Sequence, residues 1–201
     1  MKTLVIDRST DVQALAFVGD DGETEAVTLD DTDARSGEWA VKVGEFLAGR
    51  VPDRIVVGTG PGSFAGIRAA LAFAQGYAIG SKCEVLGLPS PCALAPEKGP
   101  LAVVGDARRG MYWVALFEGR RLVTDVFQVD KEKLPYRVPM GATVVTPDEK
   151  RIDAVLKERF GDMYKGGATP TAEGLVAFFR SSPDVLKPEP LPLYLNPAVR
   201  D

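Results

Sequence analysis

Whatever chemistry this sequence has to offer sits in one glycine-rich turn and two short polar stretches. The turn is Gly58-Thr59-Gly60-Pro61-Gly62-Ser63, with Gly66 and Arg68 just beyond it. It is entered from the β-branched run Ile55-Val56-Val57, which reads as a buried strand. Glycine there supplies unusual dihedrals or close approach, and Ser63 can cap the helix that follows. Strand, glycine turn and helix together present backbone N–H groups to an anion. Two phosphate-binding patterns are excluded by spacing. A P-loop needs Lys followed by Ser or Thr, whereas Gly66 is followed by Ile67 and Arg68. Gly58-x-Gly60-x-Gly62 also departs from G-x-G-x-x-G. The competing reading is a tight turn with no ligand. The polar stretches are Asp7 with Ser9, and Asp106-Ala107-Arg108-Arg109. A carboxylate suits a hydrated cation, and hydroxyl and guanidinium suit phosphate oxygens. Equally, a strand-end aspartate caps its own turn.

Composition removes many other chemistries. The 201 residues include no histidine, so Ser-His-Asp and Cys-His nucleophile arrangements, HExxH zinc hydrolysis and imidazole base catalysis are excluded. Cys83 and Cys92 form neither a disulfide framework nor a zinc site. A formal net charge of −4 argues against broad non-specific nucleic-acid binding. The basic pairs Arg108-Arg109 and Arg120-Arg121 read as solvated loop residues ahead of nucleic-acid contacts. No apolar run approaches membrane-spanning length. MKTLVID enters a strand at once, which predicts no signal peptide, no membrane and a cytoplasmic location.

The elements that must position these residues follow from periodicity. Strands are expected at 2–7, 12–18 and 23–29, then an acidic loop (Asp30, Asp31, Asp33) and a helix from about Ser36 to Ala48. The strand and glycine turn lead to a helix over 63–79, then a strand at 84–88 and a short helix opened by Ser90-Pro91. Two of these helices are short of polar surface. In the second, Ile67, Ala70, Leu71, Ala74 and Ala78 share one face, while Ala65, Ala69, Ala72, Phe73, Gly76 and Gly80 share the opposite one. A helix apolar nearly all round must be buried nearly all round. Gly76 in mid-helix costs about 1 kcal/mol relative to Ala, which close packing against another backbone would explain. In the first, Trp39, Val43, Phe46 and Leu47 form one stripe, and Ala40, Gly44 and Ala48 make another surface small. Either a third layer of the chain or a protein partner must cover them.

After a linker candidate, Pro96 to Pro100, the same order returns. Strands are expected at 101–105, 111–117, 122–129 and 143–145. A capping box at Thr146-Pro147-Asp148-Glu149 opens a helix to about Phe160. A last helix is expected over 170–180, before a proline-rich tail docked by Leu191, Leu193, Tyr194 and Leu195. Two domains are predicted, 1–97 and 98–201. A repeated β-β-β-α-β-α-β-α order is how the two halves of the actin/sugar-kinase/Hsp70 (RNase H-like) superfamily are built, an α/β fold with a mixed sheet in each half.

The segments LVIDRST, GTGPGSFAGIRAALAFAQGYA, GDARRGMYWVALF and PLYLNP together resemble the TsaB (YeaZ) family, in that family's order and across nearly the whole chain. Arg8 stands where Thr is commoner there, and Arg35-Ser36 replaces an HS pair. The resemblance implies a non-catalytic paralogue of TsaD, the protein that makes threonylcarbamoyladenosine beside the tRNA anticodon. TsaD-like catalysis uses a metal held by paired histidines, which this chain lacks, so the old glycoprotease label has no chemistry behind it. The implied role is to bind and activate TsaD, with TsaE reached through TsaD, tRNA contacted indirectly, and a homodimer formed through the same helices. The implied contact residues are Trp39, Val43, Phe46, Leu47, Ala65, Ala69, Ala72, Phe73 and Gly76. No cofactor is required, with Mg-ATP bound weakly or through the partner. In the superfamily Asp7 and its turn lie where a metal–phosphate group sits, so Asp7, Ser9, Asp106, Arg108 and Arg109 are candidate nucleotide or complex contacts. The rival reading is a small ATP-dependent phosphotransferase or ATPase using Asp7.

Overall fold

The structure, a computed structural model, describes residues 1–30 and 38–195. Asp31, Asp33, the Arg35-Ser36 pair and the Asn196-Pro197 end of the last motif lie outside the described residues. Strands β1 (Thr3–Asp7), β2 (Val12–Val18) and β3 (Thr24–Asp30) form an antiparallel meander. β1 then pairs in parallel with β4 (Arg54–Gly58), which pairs in parallel with β5 (Glu84–Leu88). In the second sheet β6 (Pro100–Arg108), β7 (Met111–Glu118) and β8 (Phe127–Asp130) repeat the meander, and β9 (Thr143–Thr146) and β10 (Tyr164–Gly167) extend it in parallel. Both sheets therefore run fifth, fourth, first, second, third, so the repeat visible in element order is a repeat of topology. These are the two mixed sheets of an actin-like α/β fold.

β1 is buried at all five positions because helices cover both faces of its sheet. Leu4, Ile6, Leu15, Phe17, Ile55 and Val57 point to one face, where α1 (Glu38–Leu47) and α2 (Phe64–Ser81) complete the core with Trp39, Val43, Leu47, Ile67, Ala70, Leu71 and Ala74. The alternate residues, Val5, Ala14, Ala16, Val18 and Val56, form a second apolar surface that also needs a cover. It comes from far along the chain. Helix α4 (Ala172–Ser181) packs on β1, β2 and β3 and buries Leu175, Val176, Phe178 and Phe179. Arg180 donates to the Gly22 carbonyl at 2.7 Å, and the Arg54 guanidinium lies 5.3 Å from the Phe179 ring centroid.

This placement corrects the expected boundaries. The first unit is Met1–Ala93 together with Pro170–Leu193, and Leu94–Thr169 makes the body of the second, where the sequence suggested 1–97 and 98–201. Element order alone assigns α4 to the second repeat; the uncovered face of the first sheet takes it instead. The proline-rich tail follows α4. Its strand β11 (Lys187–Pro188) pairs antiparallel with β5, and Leu193 donates its N–H to the Thr59 carbonyl at 2.9 Å. Of the expected docking side chains Leu193 and Leu195 are half-buried, while Leu191 and Tyr194 are exposed; Pro190 is buried beside Gly87.

Two local expectations also change. In place of the predicted 122–129 strand there is a shorter one at Phe127–Asp130, with Leu122 making one bridge to Phe117. The capping box does not form. Thr146 is the last residue of β9, and its Oγ1 accepts from Asp148 N at 3.0 Å. Asp148 becomes the N-cap of α3 (Glu149–Phe160), while Glu149 accepts from Gly167 N at 3.2 Å. Among the described residues no helix is long and apolar enough to cross a membrane.

Candidate functional site

The glycine turn packs into its own molecule. Gly58 ends β4 beside Asp7 at the end of β1, and a Cβ on Gly58 would collide with the Asp7 carboxylate and the Ser90 hydroxyl. The Gly60–Pro61 peptide is cis. A Cβ on Gly62 would collide with the Ser9 carbonyl, and one on Gly66 with the Arg8 carbonyl. Three N–H groups of the turn are already spent. Thr59 N donates to Leu88 O at 2.9 Å, Gly60 N to Ser90 Oγ at 3.0 Å and Ser63 N to Ser9 O at 2.7 Å. Ser63 is the N-cap of α2, its Oγ accepting from Gly66 N at 3.2 Å. With its room and these donors taken, the turn is packed against its own chain.

Asp7 is 1 % exposed. Its Oδ1 accepts from Ser9 N at 2.8 Å and from Ser9 Oγ at 2.6 Å, the geometry of a strand-end carboxylate holding its own turn. Burial pushes the Asp7 carboxyl above the usual carboxylate range, and hydrogen bonds from Ser9 and Ser90 draw it only part of the way back. Arg8 is buried between, its guanidinium 4.5 Å from the centroid of the Trp39 ring.

The second polar stretch is built alike and exposed differently. Asp106 Oδ1 accepts from Arg108 N at 2.8 Å, and Asp106 N donates to Asp148 Oδ2 at 2.9 Å. The Arg108 guanidinium is 3.4 Å from Asp106, and Arg151 is 3.8 Å from both Asp106 and Asp148. Burial raises the Asp148 carboxyl, offset in part by the Asp106 N–H and then by Arg151. Arg108, Arg109 and Gly110 take successive φ values of +66°, +56° and +77° at the β6–β7 turn, next to a register shift between Asp106 and Arg108. Among the described residues no group of three or more His, Cys, Asp or Glu is placed to hold a metal ion.

The third candidate surface is the outside of α1 and α2. Trp39, Val43 and Leu47, read as contact residues, are core residues facing their own sheet. This is a correction with a simple cause: the stripe with the bulkiest side chains buries the most apolar area against the strands. Phe46, Ala69 and Phe73 are half-buried at the edge of that core, with Trp39 and Phe73 ring centroids 5.1 Å apart. Ala65, Ala72 and Gly76 are exposed. With them the outer face of α2 presents Phe64 (59 % exposed), under the Arg68 guanidinium, and Ile79 (85 % exposed), while α1 presents Val41. A Cβ built on Gly44, Gly76 or Gly80 meets nothing within 4 Å. Sequence reasoning passed over Phe64, Ile79 and Val41. Ile79 lies seven residues past Ala72 on the same helical row and was legible there. Arg50 ties down the end of α1: it donates to the carbonyls of Leu47 (3.0 Å) and Phe46, and pairs with Glu25 at 2.6 Å.

Residues 49–132 match the family described as TsaD, tRNA N6-adenosine threonylcarbamoyltransferase. Uncharacterised proteins of Mycobacterium tuberculosis and Mycobacterium bovis are 33 % identical over 147 residues, 72 % of this chain. The match spans 64 % of the length of those relatives. Among solved structures, YeaZ from Pseudomonas aeruginosa superposes with a TM-score of 0.75 at 22 % identity, covering 96 % of this chain and 99 % of that one. A second structure, of an uncharacterised protein described as similar to peptidase YeaZ from Pseudomonas aeruginosa, gives 0.75 at 20 % identity, covering 97 % of this chain and 99 % of that one.

Proposed function

We propose, from the TsaB/YeaZ-family assignment that the match over 49–132 and the shared fold support, that this chain is a non-catalytic subunit that docks a TsaD-type transferase in tRNA modification. The observation that carries the reading is the outer face of α2. Phe64, Ala65, Ala72, Gly76 and Ile79 share an outward arc of the helix with the exposed Arg68 and Gln75, and its small residues allow a second helix backbone to approach. On α1, Val41 and Gly44 are exposed as well. Without histidine the chain offers no imidazole for metal-assisted transfer, so its contribution is to hold and activate the partner. The role asks no cofactor of this chain; Mg-ATP and TsaE belong to the partner's side of the assembly. In the absence of TsaD the same face takes a second copy. The role places the chain in the cytoplasm.

Gel filtration of the chain with its own TsaD, with and without Mg-ATP, tests this. Co-elution is expected, and Ala72→Arg and Gly76→Arg, both pointing into open space, are expected to abolish it with circular dichroism unchanged. Full co-elution of both variants would overturn the docking face.

A further inference from the structure

We infer that the Arg108–Arg109 tip of the β6–β7 hairpin is a contact for the phosphate backbone of tRNA, an inference that rests on the tRNA-modifying role proposed above. The net charge of −4 conceals an uneven distribution. Residues 94–169 carry 13 basic and 11 acidic side chains, whereas the rest of the chain carries 11 and 17. Two of those basic residues, Arg108 and Arg109, are adjacent and exposed at this tip. Arg109 is exposed and its side chain makes no hydrogen bond or ion pair among the described residues. The Arg108 side chain is 63 % exposed although its backbone N–H and guanidinium are both tethered to Asp106.

Backbone geometry strengthens the case. Arg108 and Arg109 both hold left-handed φ values, positions where glycine or asparagine sits at lower cost. A hairpin selected for stability alone would not put two arginines there. The tip is also firmly based. Asp106 and Asp148 are joined by a hydrogen bond and flanked by Arg151, so the strand end that carries the two arginines is anchored. Planar guanidinium forks suit bidentate recognition of phosphate. An acidic protein surface would answer the same charge, yet a protein contact is usually built around an apolar centre. Here Ala107 and Met111 are half-buried, and no large apolar side chain of the tip is exposed.

Fluorescence anisotropy with an unmodified tRNA transcript, at several salt concentrations, tests the inference on the chain alone and on its complex with TsaD. Arg109→Ala is expected to weaken binding several-fold and to flatten the slope of log K against log salt by about 1; Arg108→Ala with Arg109→Ala, by about 2. Arg109→Lys should keep most of the slope. Arg109→Gly separates a binding role from a structural one, because it relaxes the turn: the melting temperature should rise while tRNA affinity falls. Unchanged affinity and slope in the double variant would overturn the inference. So would loss of co-elution with TsaD at unchanged tRNA affinity, which assigns the tip to the protein partner. Failure of the wild-type chain to co-elute with TsaD strikes the docking role instead, and the anisotropy of the chain alone still decides for or against the tip.

Discussion

The turn after β1 and the turn after β6 occupy the same place in two sheets of one topology, and each opens with the same device. Asp7 accepts the N–H of Ser9, and Asp106 that of Arg108, both at 2.8 Å. From there they diverge. The first turn is sealed: Ser63 donates to the Ser9 carbonyl, Gly62 and Gly66 press against it, and Arg8 is folded inward onto Trp39. The second is open, with Arg108 and Arg109 exposed. An aspartate at the end of a strand is thus no guide to role by itself. What decides is whether the neighbouring crossover, β4 to α2 or β9 to α3, closes over the turn.

The largest effect that could break this comparison is a methyl group at Gly66. In an ordinary helix Gly→Ala stabilises by about 1 kcal/mol. Here the new Cβ would meet the Arg8 carbonyl, a backbone atom that cannot swing away. Gly66→Ala is therefore expected to lose more than about 3 kcal/mol in urea unfolding. An unchanged midpoint would mean that the turn is not sealed.

Next come the two aspartates. Asp7→Ala leaves two buried donors of Ser9 unsatisfied, a loss of about 2–4 kcal/mol. Asp106→Ala leaves an N–H that water can reach, for under about 1 kcal/mol. Equal losses would erase the distinction between the turns.

A smaller effect is carried by pH. Because burial raises the Asp7 carboxyl in the folded state, the native chain keeps a proton that the unfolded chain has already lost between the ordinary carboxylate value and the raised one. Stability should fall as pH rises through that window, with a slope of up to about 1.4 kcal/mol per pH unit, and Asp7→Asn should remove this component. Chemical denaturation of both proteins across pH 3.5 to 7 reads the difference. Parallel curves would show that Asp7 does not titrate differently on folding.

The smallest effect sharpens the contrast within α2. Gly76→Ala, ten residues beyond Gly66, adds a Cβ with nothing within 4 Å. It should stabilise by about 0.5–1 kcal/mol, which a thermal melt can register.

Much of this arrangement could be read from residue types. The two meanders, the parallel crossovers and the helix capped by Ser63 are local patterns, and local patterns carry them. The glycine turn was recognisable as a turn, but not what fills it, because the carbonyls of Arg8 and Ser9 come from more than fifty residues away. The apolar character of α1 and α2 was equally plain. Which stripe turned inward was not, since Trp39, Val43 and Leu47 face strands whose register only the folded sheet defines. The capping box at Thr146 failed because β9 claimed that residue for its own ladder. Helix α4 was found as a helix and attached to the wrong sheet, since nothing within residues 172–181 says which apolar surface lies uncovered.

That last placement has a consequence for the order in which the molecule is made. Residues 94–169, the body of the second unit, are one continuous run, whereas the β-sheet begun by Met1–Ala93 waits, with Val5, Ala16, Val18 and Val56 bare, until translation has passed Ser181. The half synthesised first is the half finished last.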